Sequence, residues 1–284
     1  MDKENIIEIP YASALYPAEW KALSDAPKTL YALGNTQLLT ARKFTVVGSR
    51  TTPAGALKLA QTLAKQLSAV FAIATGTADG GDTAAIEGAL QGSGKVICIL
   101  AGGFSALPQN KLTLLKKVIE NGLLLSPYPY GEEVRKYSYE YRNKLLALLG
   151  EGTLVVGASQ KSGALITARY AYRAKKKLFA FPYAPNTETG AGCNAILKNG
   201  GFLTENAEDI FQKFGIESTQ EKTVIELTQE EEKLLSALKT LTEGHISELS
   251  AKTGIPVFKA RTLLSALEVK GLAVHLGGNR YAPV

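Results

Sequence analysis

Three glycine-bearing turns hold the residues of this 284-residue chain best suited to an anion: Gly48-Ser49-Arg50, the run from Gly76 to Asp82, and Gly102-Gly103. Glycine permits positive φ angles and a close backbone approach, both of which a phosphate cradle needs. Neither a G-x-G-x-x-G fingerprint nor a P-loop is present, which argues against a dinucleotide-dependent dehydrogenase and a P-loop ATPase. Catalytic groups are scarce. The two histidines, His245 and His275, both fall near the C-terminus, so no catalytic residue is expected. Cys98 lies in the apolar run KVICIL and Cys193 in a glycine-rich stretch, which makes neither a disulfide framework nor a metal cluster. No metal and no cofactor are expected.

The elements that must position these turns are short apolar runs alternating with helix-length amphipathic ones. FTVVG, VFAIATG, VICILAGG, GLLLS, TLVVGA and KLFAFP read as strands, with helices over Leu57–Leu67, Thr83–Leu90 and Lys111–Glu120 between some of them. Strands apolar on both faces and separated by helices imply a parallel sheet covered on both sides, a doubly wound, Rossmann-like α/β domain. In such sheets ligands bind outside the carboxyl ends of the strands, where the glycine turns fall. Residues 1–40 contain YPAEW and DAPKTLYALGN and read as an extended segment with one short helix, packed on a domain spanning 41–213. A polar linker is expected over 214–223. Residues 224–284 then read as a helix with Glu in its first turn, a helix Ile246–Thr253, a Gly254-Ile255-Pro256 turn, a helix Val257–Lys270 and a hairpin around Gly277-Gly278. That order is a winged helix.

Composition sets the limits of the reading. At 45% hydrophobic and 20% charged residues the chain is neither disordered nor membrane-spanning in type, and MDKENIIEIP has no secretory pattern, so a cytoplasmic protein is expected. The net charge of +6 is uneven: residues 214–284 hold eight Lys or Arg against nine Asp or Glu. Attraction for phosphates therefore comes from the larger N-terminal part. For the winged helix, whose second motif helix carries Lys259 and Arg261, DNA and protein partners both fit.

Several motifs together resemble the DNA-processing protein A (DprA/Smf) family: VVGSR, PQNKLTLLKKVIENGLLLSPYP, YEYRNKLLALL, KSGALITARYA and GCNAILKNGG, followed by the winged helix. The resemblance covers nearly the whole chain. It implies an extended Rossmann-like domain that binds and protects single-stranded DNA, forms homodimers and helps load the RecA recombinase in natural transformation, without turnover. Gly48, Ser49 and Arg50 match the family's GSR turn, where backbone N–H groups, a hydroxyl and a guanidinium can share one phosphate. Gly76 belongs to the second turn. Tyr139, Arg142, Asn143 and Lys144 match an aromatic-x-x-Arg-Asn-basic stretch, which implies a stacking ring beside phosphate ligands. Lys161, Ser162, Gly163 and Thr167 match an element that delivers a turn to a helix N-terminus, although Ser162 also suits a plain N-cap.

Three positions depart from the family pattern. Asp79 replaces a usual Arg or Lys, Ile86 a usual His, and Gly157 a frequent Glu. An acid beside a phosphate path costs affinity, so Asp79 is expected to weaken the DNA path at that point. The cluster Arg169, Arg173, Lys175, Lys176 and Lys177 reads as a solvated face at the far end of its helix. Two other functions use the same features: a nucleotide phosphoribohydrolase-like enzyme, for which the P-G-G-x-G-T signature is missing, and a mainly protein-binding adaptor.

Overall fold

Each short apolar run becomes a strand because alternate side chains bury on opposite faces of one sheet. The computed structural model describes residues 3–217 and 227–283, and the chain divides into two compact units at 217/218. In the first unit the chain runs β1 (Ile7–Pro10), α1 (Ala18–Lys21), β2 (Thr29–Gly34), β3 (Lys43–Val47), α2 (Ala54–Leu67), β4 (Ala72–Thr75), α3 (Gly81–Gln91), β5 (Val96–Ile99), α4 (Leu112–Asn121) and β6 (Leu123–Ser126). It continues through α5 (Lys136–Leu149), β7 (Gly152–Val155), α6 (Gly163–Arg173), β8 (Lys177–Ala180), α7 (Ala191–Lys198), β9 (Phe202–Leu203) and α8 (Ala207–Lys213).

These strands form one nine-stranded sheet in the order β1-β2-β6-β5-β4-β3-β7-β8-β9, in which β3 to β9 are all parallel. One layer of side chains, including Phe44, Val46, Ile73, Cys98 and Leu154, packs with α2, α3, α4 and α8. The alternate layer, including Val47, Ala74, Ile97, Ile99 and Val155, packs with α1, α5, α6 and α7. The sheet is thus doubly wound, as expected. Strand order reverses between β3 and β7, so the crevice at their carboxyl ends is the topological switch point.

Residues before 40 hold the short helix expected there, α1, beside extended backbone. They add two antiparallel strands to the sheet, pairing Ile7 with Ala32 and Tyr31 with Ser126. Trp20 is fully buried, and its indole Nε1 donates to the Leu145 carbonyl at 3.0 Å, which fixes this segment to α5.

The second unit holds α9 (Gln229–Leu241), β10 (Gly244–His245), α10 (Ile246–Thr253), α11 (Val257–Val269), β11 (Ala273–Gly277) and β12 (Arg280–Pro283), with sheet order β10-β12-β11. Among the described residues, three helices and a small antiparallel sheet follow one another in the order expected for this part of the chain. Its core joins Leu234, Leu238, Leu249, Leu264 and Tyr281. The expected linker over 214–223 lies outside the described residues from 218 onward, as do 224–226 at the start of the expected winged-helix domain.

Candidate nucleic-acid interface

The site is built where the β3 turn meets the starts of α3 and α6. Ser49 N–H donates to the Gly157 carbonyl at 2.8 Å, tying the turns after β3 and β7 together. Gly48 lies against the first residue of α3: a Cβ on it would stand 2.8 Å from the Gly81 Cα, closer than packed atoms allow. The absence of a side chain lets strand end and helix start meet. Gly76 is a buried floor residue, and any side chain there would collide with the Arg142 guanidinium and the Asp82 carboxylate.

Over this floor lies a cavity of about 300 Å3, lined by the Gly48–Arg50 turn, Tyr139, Arg142, Asn143 and the Ser162–Ala164 start of α6 with Thr167. A second cavity of about 230 Å3 shares Arg50, Ala78 and Tyr139 with it and adds Asp79, Asn110 and Lys111. Nine of the twelve expected site residues therefore line one crevice, and Gly76 lies beneath it. Two lie elsewhere. Lys144 is two residues from Arg142 on α5, which turns it to another face of the helix, and its ammonium pairs with Asp25 at 2.6 Å. Lys161 lines a separate cavity with Ser159, Asn186 and Glu188.

The charges of the crevice largely cancel. Arg142 is 5% exposed, pairs with Asp82 at 3.6 Å and donates to the Ile99 carbonyl at 3.4 Å. Burial pushes the Asp82 carboxyl above the usual carboxylate range, while Arg142, the Ala78 N–H and Lys111 pull it back. Lys111 is also buried and pairs with Asp79 at 3.0 Å. Of the described residues lining the two cavities, Arg50 alone is a cation without an ion-pair partner.

Two residues that line the same space also hold buried polar atoms with spare hydrogen-bonding capacity. Among the described residues the buried Thr167 Oγ1 has no partner, nor does the Arg142 Nε. The α6 N-terminus opens on the cavity, where its dipole favours an anion. Ser162 does act as N-cap, accepting from the Ala164 N–H at 3.2 Å, and Asn143 Nδ2 holds this helix start by donating to the Gly163 carbonyl at 3.2 Å. The Tyr139 ring, 44% exposed, stands at the mouth shared by both cavities, where a base could stack on it.

In sequence Lys111 looks like no more than the first residue of a helix, and in the structure it is the N-cap of α4. A signal was present, because a cation at a helix N-terminus opposes the dipole and needs a local acceptor set. Among the departures, Ile86 is core, and a side chain at Gly157 would run into Thr52. The basic cluster is not one solvated helix face: only Arg169 and Arg173 lie on α6, while Lys176 donates to the Leu148 carbonyl at 3.0 Å and Lys177, in β8, to the Lys213 carbonyl. All five line a further, larger groove of about 860 Å3 with Tyr172, Ile196 and Phe202, away from the switch point.

The family model of DNA recombination-mediator protein A matches residues 8–215. The chain is 31% identical over 214 residues to the DNA processing protein DprA of Bacillus subtilis, covering 74% of this chain and 72% of that protein. It is 32% identical over 200 residues to the DprA of Streptococcus pneumoniae, covering 70% and 71%. The X-ray structure of that pneumococcal protein aligns with a TM-score of 0.70 at 30% identity, over 74% of this chain and 75% of that one. A structure described as revealing the single-stranded DNA binding mode of DNA processing protein A from Helicobacter pylori aligns with a TM-score of 0.68 at 28% identity, over 75% of this chain and 98% of that one.

Proposed function

Because the chain belongs to the DNA recombination-mediator protein A family, we propose that its larger unit binds single-stranded DNA at the switch-point crevice, without chemical turnover. One phosphate sits on Arg50, the Gly48-Ser49 backbone and the α6 N-terminus, and a neighbouring base stacks on Tyr139. The observation that carries this reading is the uncompensated guanidinium of Arg50, beside an exposed ring and over an unpaired buried hydroxyl. The Helicobacter pylori relative, whose structure concerns single-stranded DNA binding, supports the same ligand. Asp82 engages Arg142 and the Ala78 N–H, which suits an acid that orients its loop more than one presented to a substrate.

At the level of the cell, the proposal is that the protein shields incoming single strands and passes them to a RecA recombinase, working as a homodimer. Gel shifts with single- and double-stranded oligonucleotides over a salt series, for the intact protein and Arg50→Ala, test the binding step. Strong single-strand binding that Arg50→Ala weakens is the expected outcome. A protein that shifts neither DNA at low salt but releases base or phosphate from a nucleotide would instead be the phosphoribohydrolase-like enzyme.

A further inference from the structure

Lys111 uses its ammonium in an unusual way. The group has three N–H donors, and three oxygens meet it: the Thr77 carbonyl at 2.9 Å, Thr83 Oγ1 at 2.8 Å and Asp79 Oδ1 at 3.0 Å. Two of these acceptors belong to the packed turn, since Thr83 Oγ1 in turn donates to the Ala78 carbonyl at 3.0 Å. The third reaches in from solvent. The Asp79 side chain is 66% exposed, whereas that of Lys111 is 7% exposed. Both line the cavity that adjoins the first one through Arg50 and Tyr139.

We propose that the Lys111 ammonium is a second anion subsite of the DNA crevice and that Asp79 is its built-in competitor. The carboxylate holds the position that a backbone phosphate takes and keeps the strand from that position in the intact protein. This rests on the DNA-binding reading above. The Lys111 end of the pair is buried, so the carboxylate is held more firmly than in an ion pair at the open surface. A phosphate offers several acceptor oxygens and can reach Lys111 and Arg50 from one strand. Competition differs from simple repulsion of the strand by Asp79. Repulsion acts whether or not a lysine stands at 111, while competition requires it.

Fluorescence anisotropy with a labelled oligothymidylate over a potassium chloride series separates these cases, using the full chain, Asp79→Ala, Lys111→Gln and the double variant. Asp79→Ala is expected to bind on the order of tenfold tighter, as for one recovered charge-assisted contact. Its log–log salt slope should be steeper by about 0.7, one additional neutralised phosphate on a single strand. Both changes should vanish in the Lys111→Gln background. An equal gain in that background would replace competition by repulsion, and no gain in Asp79→Ala would overturn the proposal outright. Should Lys111→Gln melt early, the salt slope of Asp79→Ala against the intact protein decides alone, because both keep the lysine. If the intact, folded protein and all variants fail to bind at low salt, it is the DNA-binding reading itself that fails.

Discussion

At the scale of single residues, position on an element matters more than charge. Arg50 ends a turn with no acid to neutralise it, whereas Lys144 is bound to Asp25 on another face of α5. Arg50→Ala is therefore expected to weaken single-strand binding by about 1–3 kcal/mol, and Lys144→Ala to change it less than threefold, both read by titration at one fixed salt concentration. Loss of binding in Lys144→Ala equal to that in Arg50→Ala would contradict the geometry. The sequence made Arg50 legible because a guanidinium directly after a strand and a glycine has few places to go. It could not separate Arg142 from Lys144, since neighbours in a motif part company once the motif is wound into a helix. Nor could it show Arg142 and Asp82 as a buried pair, because residues 60 positions apart meet only through β4, α3 and α5.

The elements explain which parts of the fold could be read. β3, β4, β5, β6, β7 and β8 stand out as apolar on both faces, and α10 has the bounds expected from its Gly254 stop. α5 has no comparable signature, because Arg142, Asn143, Leu145, Leu146 and Ala147 are all buried and leave no single apolar stripe. β1 carries Glu8 and ends in Pro10, and β2 has Tyr31 half-buried and finds its partner β6 only far along the chain. Packing at the β3–α3 junction leads to a test: Gly48→Ala should destabilise the protein by about 1–3 kcal/mol through overpacking against Gly81, seen as a lower thermal midpoint, and should reduce DNA affinity as well. In the second unit Thr228 and Glu231 cap α9 reciprocally, and Lys270 bonds Glu231 at 2.7 Å. The hydrogen bond from Lys270, followed by the Thr228 N–H, holds the Glu231 carboxyl below its ordinary value near 4.5. A depressed folded-state value stabilises above the unfolded one and is lost as the pH falls through the folded one. Amide exchange of α9 should therefore accelerate as the pH falls below about 4.5, after correction for the intrinsic rate, and Glu231→Gln should flatten that dependence.

For the whole molecule, charge is divided between the two units. In the second, Lys259 pairs with Glu230, Lys270 with Glu231 and Arg280 with Glu243, and Arg261 donates to Asn279. Removing residues 221–284 is expected to leave single-strand affinity within about threefold, since cations already paired with neighbouring acids add little long-range attraction. A truncated chain that no longer binds, beside an unaffected Arg50→Ala, would move the DNA site to the second unit. Single strands should also bind more tightly than a duplex of the same length, because a base must leave its stack to meet Tyr139. Competition between the two forms in one gel measures this directly.

The indole that fastens the N-terminal strands to α5 has a further use. Trp20 is the only tryptophan in the chain, and its acceptor, the Leu145 carbonyl, lies one helical turn from Arg142. Indole emission responds to its hydrogen bond and to the dielectric of its surroundings, so the protein carries an intrinsic optical gauge on the helix that supplies Tyr139 and Arg142. Titrating DNA while watching that emission reports whether α5 slides when the crevice fills. An unchanged spectrum at saturation describes a crevice built in advance, and a shifted one describes a helix that adjusts to its strand.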